Sequence, residues 1–224
     1  RDRNDLSTTK GSFIYDDSDV SSRHFKLGVL KNVADTANDP VRINFERALE
    51  TLESIATIEE VEFCELPHEA INRTIMFSEA ASAFDDFIES GKPMELTAPE
   101  DRYGLYARTG ILAKDYIKAL RLRKIMSENA DEVMSRVDAL VAPTRASTAT
   151  PLDEEFRSAA LHTGRDLMGA VGNGAGLPSI SVPSGFSNEG LPTGIQFMGR
   201  AYAENTVLAV ARAYQSLTTW HKQH

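Results

Sequence analysis

Between Asn173 and Arg200, glycine and proline leave the backbone few options. Asn173-Gly174-Ala175-Gly176-Leu177-Pro178 ends a helix, because Gly accepts positive φ and close backbone approach while Pro cannot extend the helical ladder. Ser179-Ile180-Ser181-Val182-Pro183 then reads as a buried strand limited by Pro178 and Pro183. Gly190-Leu191-Pro192 turns the chain into a second strand, Thr193 to Gly199. Taken alone, the segment describes a packed strand pair hung from a helix.

Upstream, Lys26 to Leu30 is a short apolar run and reads as a strand. Asn38-Asp39-Pro40 opens a helix, with Pro40 where a missing N–H costs nothing, and Val41, Phe45, Ala48, Leu52 and Ile55 follow at helical spacing. Glu60 to Leu66 alternates polar and apolar until Pro67, which is strand behaviour. Strand, helix, strand is the pattern of a parallel pair joined by a crossover helix. Helical periodicity spans Glu69 to Glu89 and Thr109 to Arg136, with loops expected at Ser90 to Pro93 and Ala98 to Gly104. Val137 to Thr144 reads as a strand entering a loop, where α/β sheets often border ligands. Glu154 to Val171 and Glu204 to Trp220 read as helices. The expectation is an α/β fold: a polar, irregular lead-in over residues 1–22 and one domain over 23–224.

Of the 224 residues, 42% are hydrophobic and 25% charged, a composition that supports a core and not disorder. The net charge of -9 is spread along the chain, against a nucleic-acid or anionic-membrane partner, which would want clustered Lys and Arg. No apolar run approaches the ~18 residues of a membrane span, and no secretory pattern is present. Cys64 is the single cysteine, so no internal disulfide forms, and no Cys/His cluster suggests a thiolate metal site. A reducing, cytoplasmic setting and no metal or organic cofactor are expected.

The run from Asn173 through Gly190-Leu191-Pro192-Thr193-Gly194-Ile195-Gln196 to Trp220-His221 resembles the closing segment of the amidase signature family. That family shows Asn-Leu-Ala-Gly-Leu-Pro, a Ser-Val-Pro strand, a Gly-Leu-Pro-x-Gly-x-Gln strand and a helix ending near Trp-His. Lys26 to Leu30 and Val137 to Thr144 are similar, more loosely, to its later strands. The resemblance implies the carboxy-terminal portion of the amidase signature fold, a mixed sheet flanked by helices. It also implies hydrolysis of linear amides by a Ser nucleophile, a Ser held in a cis peptide and a Lys, with backbone N–H groups holding the oxyanion. Those catalytic residues occupy a Gly-Gly-Ser-Ser type loop that this sequence lacks; its only Gly-Ser pair is Gly11-Ser12. No catalytic residue is therefore carried over. The first residue is Arg1, so the chain is expected to be a piece of something longer, with the upstream half of the polypeptide as partner. Without that half, an exposed apolar edge and face, and self-association, are expected.

Two residues are candidates for substrate binding. Asp166 stands seven residues before Asn173, the spacing at which glutamine-using relatives place an Asp on the substrate's amino group; the bland reading is a solvated helix-face Asp beside Arg165. Arg108, expected at the start of the long helix, corresponds to an Arg that meets a substrate carboxylate, against a plain surface role. The family's usual Pro before the Asn is Gly172 here, which leaves the substrate open. Gln196 reads as a structural hydrogen-bonding residue, and the five His show no pairing pattern. Ser7-Thr8-Thr9-Lys10 with His162-Thr163-Gly164 mimics a penicillin-recognising enzyme, but Ser7 lies in a segment without apolar periodicity. Ser184 lacks the Gly-x-Ser-x-Gly elbow. The competing reading is a catalytically dead binding or assembly module on the same fold.

Overall fold

The Asn38 side chain accepts the Val41 N–H at 3.3 Å and so starts the first helix, with Pro40 in its first turn. The structure, a computed structural model, describes residues 2–4, 8–11, 13–16, 23–153 and 166–223. In chain order these form β1 (Phe25–Leu30), α1 (Asp39–Leu52), β2 (Ala56–Val61), α2 (His68–Ala83), α3 (Asp85–Glu89) and a 3-10 turn (Lys92–Glu95). Next come α4 (Pro99–Arg108), α5 (Ala113–Met134), β3 (Ala139–Pro143), α6 (Leu167–Ala175), β4 (Ser179–Phe186), β5 (Pro192–Met198) and α7 (Glu204–Leu217).

The five strands form one sheet in the order β2-β1-β3-β5-β4. β1 pairs in parallel with β2 and β3, while β5 runs antiparallel to both of its neighbours. Alternate residues of β1 feed two cores. Phe25 and Leu27 pack with Phe45, Ile195, Phe197, Val210 and Tyr214 beneath α1 and α7. Leu30 points to the other face, where Leu140, Ala142 and Met198 pack with Met126 and Met134 of α5 and Met168 and Val171 of α6. α2 lies outside this layer, closed by Ile71, Ile75 and Ala119. Asn44 pins α1 to the hairpin by donating to Phe186 O and to Thr193 Oγ1, each at 3.1 Å.

Several boundaries differ from the sequence reading. β2 lies at Ala56–Val61, not Glu60 to Leu66: Phe63 is buried without being paired, so the apolar alternation outruns the ladder. Pro99–Arg108 is a helix rather than a loop, with Pro99 at its first turn. Pro183 does not end β4. The strand continues to Phe186 through a register shift between Pro183 and Gly185, tolerable because β4 is the sheet edge, where no ladder N–H is missed. The last read helix stops at Leu217, short of Trp220, and α6 extends to Ala175. The upstream part of the helix read over 154–171 lies outside the described residues, as do Ser7 and residues 162–164. The edge at β4 is not the apolar surface expected: Ser179 and Ser181 are its exposed residues, and β2 carries Glu59 and Glu60. Exposed apolar side chains instead sit on the outer helical layer, among them Phe84, Met94, Tyr103 and Leu112.

Candidate functional site

Gly176, with φ of 69°, closes α6 in a left-handed cap, and the Leu177 N–H reaches back to Gly172 O at 2.9 Å. At the other end of the helix Asp166 is the N-cap: its carboxylate accepts the Gly169 N–H at 2.7 Å. A side chain at Gly169 would meet that carboxylate, so Asp166 folds back into the space that glycine leaves open. The Asp166 N–H donates to Glu69 Oε1 at 3.1 Å, tying α6 to the first turn of α2. One turn further, the Asn72 amide donates to Ala170 O. Asp166 is therefore a helix cap, not a residue on a helix face.

Between α2 and α6 lies a groove of about 510 Å³, open to solvent. Ile75 and Met76 supply apolar surface, Asn72 and Asn173 supply amides, and charge comes from Glu69, Glu79, Asp166, Arg73 and Arg123. Asp166 is thus inside the groove. Arg108 is not among its lining residues: it ends α4, rather than starting the long helix, and its guanidinium stacks over the Phe77 ring, 4.6 Å from the centroid. Glu69, Arg73 and Arg123 carried no signal in the sequence, since charged residues along a helix read as a solvated face.

A second polar patch lies on the sheet. The Thr144 and Ser181 hydroxyls are 2.6 Å apart, and the Gln196 amide donates to Pro143 O at 3.1 Å, a structural bond as read. His68, at the start of α2, is buried beside Phe63, and its Nε2 has no hydrogen-bond partner. Burial pushes the His68 imidazole below its ordinary pKa, opposed by a bond to the Leu66 backbone. Among the described residues no three His, Cys, Asp or Glu side chains converge as metal ligands. No helix among them is long and apolar enough to cross a membrane.

A five-stranded mixed sheet flanked by helices, with a mixed-charge groove between α2 and α6, is the architecture to be compared with known proteins. The chain belongs to the Amidase family, whose profile matches residues 1–208. It is similar to the A subunit of the glutamyl-tRNA(Gln) amidotransferase of Microcystis aeruginosa, 39% identical over 108 residues, which is 48% of this chain and 22% of that protein. Among solved structures it is similar to the A subunit of the glutamyl-tRNA(Gln) amidotransferase of Thermotoga maritima, with a TM-score of 0.66 and 30% identity. That match covers 95% of this chain and 47% of the other. The native peptide amidase of Stenotrophomonas maltophilia gives a TM-score of 0.70 at 25% identity, covering 96% of this chain and 48% of that one. The chain thus spans about half the length of these solved relatives, and its match to the curated relative covers about a fifth of that protein.

Proposed function

We propose that this chain is the carboxy-terminal part of an amidase domain over residues 23–224, preceded by a lead-in, and that it contributes scaffold and one wall of the substrate pocket. The reaction is hydrolysis of a linear amide C–N bond, with the Ser, cis-Ser and Lys supplied from outside these residues. The observation that carries the reading is the match of 95% of this chain to 47% of the Thermotoga maritima protein at 30% identity, in a sequence without a Gly-Gly-Ser-Ser loop. Asp166 supports the reading: it is a carboxylate at the groove, anchored as a helix cap, and a carboxylate pairs naturally with a substrate ammonium. For Arg108 we propose a packing role, holding α4 against α2 through Phe77. The partners proposed are a small-molecule amide and the upstream half of the polypeptide, with self-association when that half is missing, in the cytoplasm.

The test is direct. The purified chain, incubated with aliphatic and aryl amides and with glutamine, releases no ammonia above buffer. Turnover would show that a nucleophile resides here after all. The alternative, a catalytically dead binding or assembly module on the same fold, predicts a parent reading frame with no Gly/Ser-rich loop and no catalytic Lys upstream.

A further inference from the structure

The outward face of α5 carries charge in an order that weakens the helix itself. Lys114, Ile117, Lys118, Arg121 and Ile125 recur at i, i+3, i+4, i+7 and i+11, which sets them on one stripe of about 17 Å. All five are exposed, opposite the buried Ala119, Met126, Ala130 and Val133. Lys114 and Lys118 are four residues apart, and Lys118 and Arg121 three, spacings at which like charges repel. The cations occupy the N-terminal half of the helix and its last turn holds none, the reverse of what the helix dipole favours. On the same helix Lys124 pairs with Glu128. Lys114, Lys118 and Arg121 have no ion pair or side-chain hydrogen bond among the described residues.

A surface of opposite sign lies at the same end of the helical layer. Asp85, Asp86 and Glu89 of α3 are exposed and also without an ion pair among the described residues, and the Phe84 ring beside them is exposed. α2 runs antiparallel to α5, because Asn72 and Met126 both crowd the space beside Gly174 while Ile75 packs with Ala119. α3 follows α2 directly, so it lies where α5 begins. Each patch sets exposed apolar side chains among unpaired charge, Ile117 and Ile125 on one and Phe84 on the other. That is the make-up of a small contact with an apolar centre and a polar rim.

We propose that the stripe on α5 docks on α3 of a second copy of this chain, with a two-fold axis that uses each patch twice and closes the dimer. The proposal needs neither the groove nor a missing upstream half. An axis that laid α5 on α5 would oppose like charges, whereas α5 on α3 gives three pairs of opposite sign at each of two contacts. These pairs also offset the repulsion between two copies that each carry a net charge of -9. All six charges are exposed, so each pair contributes little and the dimer is sensitive to salt.

Sedimentation velocity of the 224-residue chain in about 50 mM salt is expected to show a monomer–dimer equilibrium with a Kd of about 10 μM, at least tenfold weaker in about 500 mM salt. Reversing the stripe (Lys114→Glu/Lys118→Glu/Arg121→Glu) or its complement (Asp85→Lys/Asp86→Lys/Glu89→Lys) is expected to leave monomers up to about 100 μM. An equimolar mixture of the two reversed variants is expected to dimerise again, because both contacts then join opposite charges. The milder Lys114→Gln/Lys118→Gln/Arg121→Gln variant is expected to weaken the dimer at least tenfold and keeps the test open should a reversal misfold, which far-UV dichroism reports. A wild-type chain that is monomeric at about 100 μM, a dimer that survives either reversal, or a mixture that stays monomeric would each overturn the inference. Association through a sheet edge would ignore the reversals and overturn it in the same way. A longer polypeptide containing this chain that stays monomeric would also overturn it, because the face would then belong to the upstream half.

Discussion

Replacing Asp166 by Asn and by Ala separates two things that the groove asks of one side chain. The carboxylate caps α6 through a 2.7 Å bond from the Gly169 N–H, and it also presents negative charge to the groove. Asn keeps an acceptor oxygen and ranks with Asp as a cap, so its stability should lie within about 0.5 kcal/mol of wild type. Ala removes the acceptor and should cost about 1 kcal/mol, within a range of roughly 0.5–2. For a chain of this size about 1 kcal/mol is a shift of roughly 2–4 °C in Tm. The cost is not softened by helix length, because α6 has only nine residues, and Met168, Ala170 and Val171 must be held on the core by that first turn. Urea unfolding followed by far-UV dichroism measures the difference, and titration with 5-aminovaleramide measures ligand affinity. The expected pattern is stability in the order wild type, Asn, then Ala, with ligand affinity lost equally in both variants. An Ala variant as stable as wild type would refute the cap. An Asn variant that keeps its amine affinity would refute the charge.

Three further perturbations probe the scaffold. Tyr214 is fully buried, its hydroxyl has no hydrogen-bond partner among the described residues, and burial pushes its pKa up to about 12. Tyr214→Phe removes the unpaired hydroxyl and should stabilise the chain by about 1 kcal/mol in urea unfolding; a loss of stability would point to a partner for the hydroxyl. Asn44→Ala leaves Phe186 O and Thr193 Oγ1 without their donor and should cost about 2–3 kcal/mol, read as a lower urea midpoint at unchanged slope. His68 has a folded pKa below its unfolded value, so the unfolded state takes up the proton first as pH falls. Stability should therefore decline as pH drops through about 6.5, and the part of that decline due to His68 should vanish in His68→Gln.

Legibility in the sequence followed local backbone chemistry. At three positions the local signal held: Asn38 opens α1, Gly176 closes α6, and Gly190 with φ of 81° turns β4 into β5. Errors arose where tertiary packing decided. Phe63 is buried by the second core, not by a ladder, and so pulled the strand reading downstream of β2. Pro183 is a strand terminator in a sheet interior but harmless at the edge, and nothing local reports which strand is the edge. α4 has no buried residue among those described to set a helical period, so Pro99 and Gly104 made it look like loop. The groove was half visible: the family resemblance brought out Asp166, whereas Arg73 and Arg123 come to line one groove only after α2 and α5 have packed.

Gly172 shows how the hairpin and the groove depend on one another. A Cβ at this position would fall 2.6 Å from Met198 Sδ, so α6 rests on β5 with the methionine sulfur in the space where a side chain would otherwise be. That contact sets the seat of the whole short helix, because Gly176 and Leu177 then fix its C-terminus to the start of β4 and Asp166 fixes its N-terminus to α2. A proline here, the residue that the resemblance led one to expect, would need a different neighbour than Met198 and would withdraw the N–H from the helix interior. The missing side chain at Gly172 and the large Met198 therefore fill one space between helix and sheet. Its consequence is positional: the height of α6 over the sheet decides how far the Asp166 carboxylate reaches into the groove. The Gly-rich run thus meets the groove twice, through Asn173 and Gly174 in its lining and through the seat it gives the helix that Asp166 caps.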